Sequence, residues 1–280
     1  MLTNPSPKTR TSPSRKTLCV IILKTVAIIL STFILFACNE ANKKNIQFSK
    51  PVIKQPFTKD TIAYFDVDSI DGVYPIFLGK YLIADSLFIS GIPKRDTTYR
   101  KDIIGLDSYF NLWDSLELAN DGFEIIPDYA KDVYYNTYTF QPHYYFPVYI
   151  VNQTNTIKGF IEKDNYVFGI QEALDSNNYW RPIESKGMDF CGNGMYGIKV
   201  HPQEFITILF PKYTGNYKTK LRIRIKIGDN IYVSQSYYGK INRNQFHLKR
   251  DSYEFEKLKE DKEEVITWSF YGGEPLDAAK

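Results

Sequence analysis

The chain is short of the residues that carry most enzyme chemistry. It has three histidines, His143, His201 and His247, and no two stand at the short spacing that sets a pair of imidazoles on one metal ion. Three cysteines, Cys19, Cys38 and Cys191, are too few for a disulfide framework. There is no Gly-x-Ser-x-Gly elbow and no Gly-Lys-Ser or Gly-Lys-Thr, which argues against common serine hydrolases and P-loop nucleotidases. Acidic residues are missing from the first 39 positions, and no uncharged apolar run reaches the roughly 20 residues a membrane-spanning helix needs.

What is abundant is aromatic: 22 Tyr and 19 Phe in 280 residues. Such side chains suit half-buried pleated surfaces better than helix interiors, so β structure is favoured from the outset. The formal charge of +3 misleads, because Lys8, Arg10, Arg15, Lys16 and Lys24 all precede Cys38. Without them about 30 basic residues face 32 acidic ones, a balance with no global pull toward nucleic acid.

The amino-terminal segment is the most informative part. Residues 25–37 form an uncharged run of 13, about 20 Å as a helix and short of a hydrocarbon core of roughly 30 Å. It fits the apolar region of a signal peptide, with the basic, acid-free stretch before it held in the cytoplasm. The run ends in Leu35-Phe36-Ala37-Cys38, which resembles the lipobox of bacterial lipoproteins. In that family the cysteine thiol takes a diacylglycerol and the chain is cut before it. The resemblance implies lipidation of Cys38, with residues 1–37 as signal peptide; the alternative is an uncleaved anchor over 18–38, with Lys24 reaching the headgroups. Either reading puts the rest of the chain outside the cytoplasmic membrane. Residues 38–59, polar and without periodicity, read as a tether.

Beyond the tether, the sharpest signal is at 221–227, where apolar and basic residues alternate without error: a strand with one wet face. Gly228-Asp229-Asn230 then predicts a tight hairpin into Ile231-Tyr232-Val233. Short apolar or aromatic runs at 146–151, 157–161, 166–170, 179–183, 196–200, 205–210 and 237–241, separated by turn residues, have the spacing of a β-sandwich. The expectation is a mainly β chain: an immunoglobulin- or fibronectin-like sandwich over 146–246, a smaller β-rich region over 60–145, and an extension over 247–280. With only Cys191 in it, that sandwich lacks the bridge of antibody domains. A short helix is expected at 107–118, a helix-permissive stretch at 253–264, and a return to strand at 265–270.

The candidate sites each have a plainer reading. Gly192-Asn-Gly-Met-Tyr-Gly197 matches a dinucleotide-binding spacing, but no helix follows it and a tight turn is the reading adopted. Asp66, Asp68 and Asp71 look like a calcium loop, yet Ile70 and Asp71 occupy places where an EF-hand needs an oxygen ligand and glycine. Cys191 reads as a small buried hydrophobe rather than a nucleophile paired with His201. Clustered aromatics, as in Tyr134-Tyr135, Tyr144-Tyr145-Phe146 and Tyr237-Tyr238, offer either core packing or flat faces for sugars, peptides and proteins.

Residues 179–184, 190–193, 211–215 and 219–222 resemble uncharacterised lipoproteins of Bacteroidota bacteria, over a stretch of about 146–246. That resemblance implies an envelope setting and a β-sandwich, and it carries no catalytic residue, metal or cofactor with it. The reading is thus a lipid-anchored envelope protein facing the periplasm. It is non-enzymatic and meets the membrane through Cys38 lipid or helix, with a protein, peptide or glycan partner and no nucleic acid. The alternative is an envelope hydrolase with two converging carboxylates about 5 to 9 Å apart in an aromatic-lined cleft.

Overall fold

Alternation of buried and exposed side chains organises the chain into paired strands. The computed structural model describes residues 48–56, 62–83, 86–90, 103–105, 118–136, 142–187 and 194–279. The lipobox, the tether before Phe48, Cys191 and nearly all of 107–118 lie outside these. The described strands are β1 (Val52–Lys54), β2 (Asp71–Val73), β3 (Ile76–Leu82), β4 (Ser86–Phe88), β5 (Ile103–Gly105), β6 (Phe123–Pro127), β7 (Val133–Tyr135), β8 (His143–Asn152) and β9 (Lys158–Lys163). They continue with β10 (Gly169–Leu174), β11 (Trp180–Pro182), β12 (Glu184–Lys186), β13 (Met195–Val200), β14 (Glu204–Pro211), β15 (Tyr217–Ile227), β16 (Asn230–Val233) and β17 (Tyr237–Ile241). Two helices follow, α1 (Tyr253–Glu260) and α2 (Lys262–Ser269). The protein is mainly β, with a sandwich-like arrangement of sheets.

One five-stranded sheet runs β3-β14-β8-β6, with β7 also on β8. The other runs β11-β10-β15-β16, with β17 also on β15. Phe146, Val148 and Ile150 of β8, Ile206, Ile208 and Phe210 of β14, and Ile223, Ile225 and Ile227 of β15 share a single apolar cluster. Every second residue of each strand therefore points into the space between the sheets. A three-stranded sheet, β5-β13-β9, adds Phe160, Ile198 and Val200 to the same core.

The first sheet is covered on both faces. On the side away from the central core, Tyr145 and Leu209 pack with Ile53 of β1 and Leu87 of β4. That is why β8 is buried over eight consecutive residues from Tyr145, where a strand with one wet face would alternate. Strands β3, β6 and β7, which precede residue 146, belong to the same sheet as β8 and β14.

The second sheet keeps the alternation expected at 221–227. In β15 the odd positions are buried, Tyr217 apart, and the even ones reach solvent. The turn after Ile227 closes with Gly228 at φ +58°, and Ile227 pairs with Asn230 across it. On the outer face, Ile170 of β10 packs with Val265, Phe270 and Tyr271. The carboxy-terminal segment thus roofs β10 and reaches Arg224 and Lys226 of β15, leaving Lys218 and Lys220 exposed.

The strand expected at 265–270 is a helix. Ser252 caps α1 by accepting the Phe255 N–H at 3.2 Å. Asp261, which ends α1, caps α2 by accepting the Glu264 N–H at 2.9 Å. Only Val265 of α2 is buried, so one anchoring contact and the cap outweigh the β preference of Val265 and Ile266.

Candidate functional site

Three places in the fold gather chemically capable side chains. The first lies inside. Gln171, on an inward position of β10, donates its backbone N–H to Glu184 Oε2 at 2.6 Å and its side-chain amide to Glu184 Oε1 at 2.7 Å. Tyr213 donates its hydroxyl to the same Oε1 at 2.7 Å, and Tyr237 donates to Gln171 Oε1 at 3.1 Å. Glu184 and Gln171 are fully buried. Burial pushes the Glu184 carboxyl up to about 7 against the pull of three donors, and burial beside Glu184 raises the Tyr213 phenol well above its ordinary value. A carboxyl near neutrality suits acid–base work, but this one is sealed from any substrate.

The second lies on the outer face of the second sheet. Glu172, next along β10, points outward and is 1% exposed; Arg222 Nε meets its Oε2 at 2.6 Å and Arg224 Nε its Oε1 at 2.9 Å. Arg222 also lies over the Trp180 ring, 4.3 Å from its centroid. Arg224 donates to the Tyr271 carbonyl at 3.3 Å, tying the sheet to the segment after α2. Either side of this clamp, the even positions of β15 are Lys218, Lys220 and Lys226, and among the described residues none of these has a carboxylate partner. Lys220 lies over Tyr238, 5.9 Å from the ring centroid, and Lys226 over Trp268, at 5.6 Å. Tyr238 and Trp268 are 64% and 60% exposed, so their rings reach solvent beside these cations.

The third is a cavity of about 630 Å³ beside α1, floored by Leu248, Phe255 and Leu258 and edged by His247, Arg250 and Asp277. His247 Nδ1 and Asp277 Oδ1 are 3.0 Å apart, and Asp277 Oδ2 accepts the Leu248 N–H at 2.8 Å. An oriented imidazole can serve as a base, but among the described residues no Ser, Thr or Cys lines this cavity to be activated by it.

The residues singled out from the sequence disperse. Asp66 accepts a hydrogen bond from Asn242 at 2.6 Å, while Asp71 heads β2 with Lys249 at 3.7 Å. His143 stacks on Phe65 with ring centroids 4.4 Å apart. His201 donates its backbone N–H to Glu204 at 2.7 Å. Gly194 has φ +85° and leads directly into β13. Of the aromatic pairs, Tyr135 and Tyr145 are buried; Tyr237 stacks on Tyr129 at 4.8 Å, leaving Tyr238 outside. Among the described residues no three His, Cys, Asp or Glu side chains gather as a metal site, and no helix is long and apolar enough to cross a membrane. Cys38 and Cys191 lie outside the described residues.

Sequence reasoning missed Glu184, Gln171, Glu172 and Trp180. Glu172 of β10 points outward to Arg222 and Arg224, while Glu184 of β12 meets the inward-facing Gln171, so they do not form the converging pair considered for a hydrolase. The one signal available was the alternation at 221–227, which already placed Arg222 and Arg224 on a common face. Comparison with protein-family models, with curated proteins and with solved structures finds no match to this chain.

Proposed function

We propose that the protein is a lipid-anchored component of a bacterial cell envelope, attached through Cys38, and that it binds a partner on the outer face of its second sheet. The anchor rests on the uncharged run over 25–37, its basic, acid-free approach and the four residues ending in Cys38. The observation that carries the binding role is the open half of that sheet. Lys218, Lys220 and Lys226 project there with no carboxylate partner among the described residues, beside exposed Tyr238 and Trp268. Flat rings set among cations suit recognition rather than solubility alone.

A hydrolase reading draws less support. Its best candidate acid, Glu184, is fully buried, and Glu172 is held between two guanidinium groups.

Two measurements test this reading. Growth with an alkyne fatty acid should label the wild type and leave Cys38→Ala unlabelled; label on the variant would overturn the anchor. Purified full-length protein in detergent should leave generic ester, peptide and glycan substrates intact, and turnover that survives repurification would displace the binding role.

A further inference from the structure

Lys218 of β15 and Lys240 of β17 stand directly opposite each other on the outer face. Like charges in that relation destabilise a sheet. The same face repeats the pattern along its length. Lys218, Lys220, Arg222, Arg224 and Lys226 occupy alternate positions of one strand, so the charges stand about 6.7 Å apart over about 27 Å. Glu172 is the one carboxylate among the outward positions of β10 and β15 that this row meets. Such a row is costly to the fold and is relieved by an anion laid along it.

Charge alone does not describe the surface. The cations are interleaved with rings: Lys220 with Tyr238, Arg222 with Trp180, Lys226 with Trp268. Beyond the hairpin, Val233 and Ile231 pair with Arg224 and Lys226 and are 43% and 42% exposed. A ligand matching this surface carries negative charge at intervals and flat apolar faces between the charges.

The relief of the surface narrows the choice. The α2 end and residues 270–273 pack over β10 and against Glu172 and Arg224 at the middle of the row, held by Ile170 packing and by Arg224 on the Tyr271 carbonyl. Arg222 and Arg224 are 20% and 15% exposed beside that segment, so the cations left to a ligand are Lys218, Lys220 and Lys226, next to exposed Tyr238 and Trp268.

We infer that this row is the binding site for a linear acidic polysaccharide, its carboxylates on Lys218, Lys220 and Lys226 and its sugar faces on Tyr238 and Trp268. The inference rests on the binding role proposed above for this face and names the chemistry of its partner. Lys218, Lys220 and Lys226 make the contacts that discriminate, since Arg222 and Arg224 are already shared with Glu172.

The test is affinity electrophoresis of the full-length protein in a non-ionic detergent, through gels containing polygalacturonate, with dextran as the neutral control. Polygalacturonate should retard the wild type, dextran should not, and retardation should fall as salt is raised, because exposed charge pairs are screened. The triple variant Lys218→Ser, Lys220→Ser, Lys226→Ser should bind at least ten-fold more weakly. Tyr238→Ala, which leaves the charge unchanged, should weaken binding several-fold. Circular dichroism of each variant confirms the fold, and Lys220→Arg should retain binding. Equal retardation of wild type and triple variant, or none by polygalacturonate, would overturn the inference. Oligothymidylate or soluble dihexanoyl phosphatidylglycerol serve as competing probes. Binding of one of these without polygalacturonate would reject the polysaccharide yet keep the face as a binding surface; binding of none would remove both.

Discussion

Gln171 holds both oxygens of Glu184, one through its backbone N–H at 2.6 Å and the other through its side-chain amide at 2.7 Å. This double grip spans two strands that do not pair with each other, and Tyr213 from beyond β14 completes it. The carboxyl lies between the two sheets' contributions to the interior, where its charge is expensive to keep.

That expense sets a pH dependence. Glu184 is raised from an ordinary 4.5 to about 7 by burial, so between those values the folded state holds a proton that the unfolded chain has released. Stability from this group is therefore full below about pH 4.5 and declines as pH rises to about 7, by about 3 kcal/mol. Urea titrations from pH 5 to 8 should show that decline in wild type, and Glu184→Gln should flatten it. An unchanged slope in the variant would assign the dependence to other groups.

Removing Glu172 should be costly for a different reason. Glu172→Ala leaves Arg222 and Arg224 facing one another without the carboxylate that joins them. The loss should be about 3 kcal/mol of unfolding free energy, the usual scale for breaking a buried ion pair. Reversal of part of this loss in Glu172→Ala, Arg224→Met would show that the stranded charge, more than the missing bond, is responsible.

Two glycines distinguish backbone from side-chain obstruction. A Cβ at Gly215 would come 2.1 Å from the Ile241 carbonyl carbon, in backbone that cannot move without displacing β17. At Gly228 the obstacle is the end of the Asn120 side chain, which can rotate away. Gly215→Ala should therefore lower Tm by many degrees, on the order of 10 °C, and Gly228→Ala by clearly less, retaining only the cost of its φ of +58°.

Thr207 offers a stabilising change. It is fully buried in β14, and its hydroxyl has no hydrogen-bond partner among the described residues. Replacement by the isosteric valine removes an unsatisfied group and adds a methyl to an apolar site, so Thr207→Val should gain about 1 kcal/mol. A loss of stability on chemical denaturation would show that the hydroxyl is satisfied in solution.

The β character, the hairpin at Gly228 and the wet face of β15 were legible in the chain, because alternation with period two is a local property that survives whatever packs above it. The reading of 265–270 as strand failed at the point where local preference is weakest. Val265 and Ile266 favour a strand, but the cap from Asp261 and the docking of Val265 on Ile170 decide for a helix. The doubly covered β8 shows the same limit in reverse: its unbroken burial depends on β1 and β4, which lie far away in sequence.

For the candidate site, the sequence by itself determined the cation row, since residues 218, 220, 222, 224 and 226 must share a face once the segment is a strand. It also determined the charged and apolar layout of the amino-terminal segment on which the Cys38 reading stands. Tertiary structure alone decided that β17 sets Tyr238 and Lys240 beside that row, and that the carboxy-terminal segment covers β10 and Arg224 while leaving Lys218 and Lys220 exposed. It alone sealed Glu184 inside while leaving Lys218 and Lys220 in water. The physical reason is that periodicity specifies which side chains lie together, whereas burial depends on what else arrives. Arrivals from tens of residues away leave no mark on the local pattern.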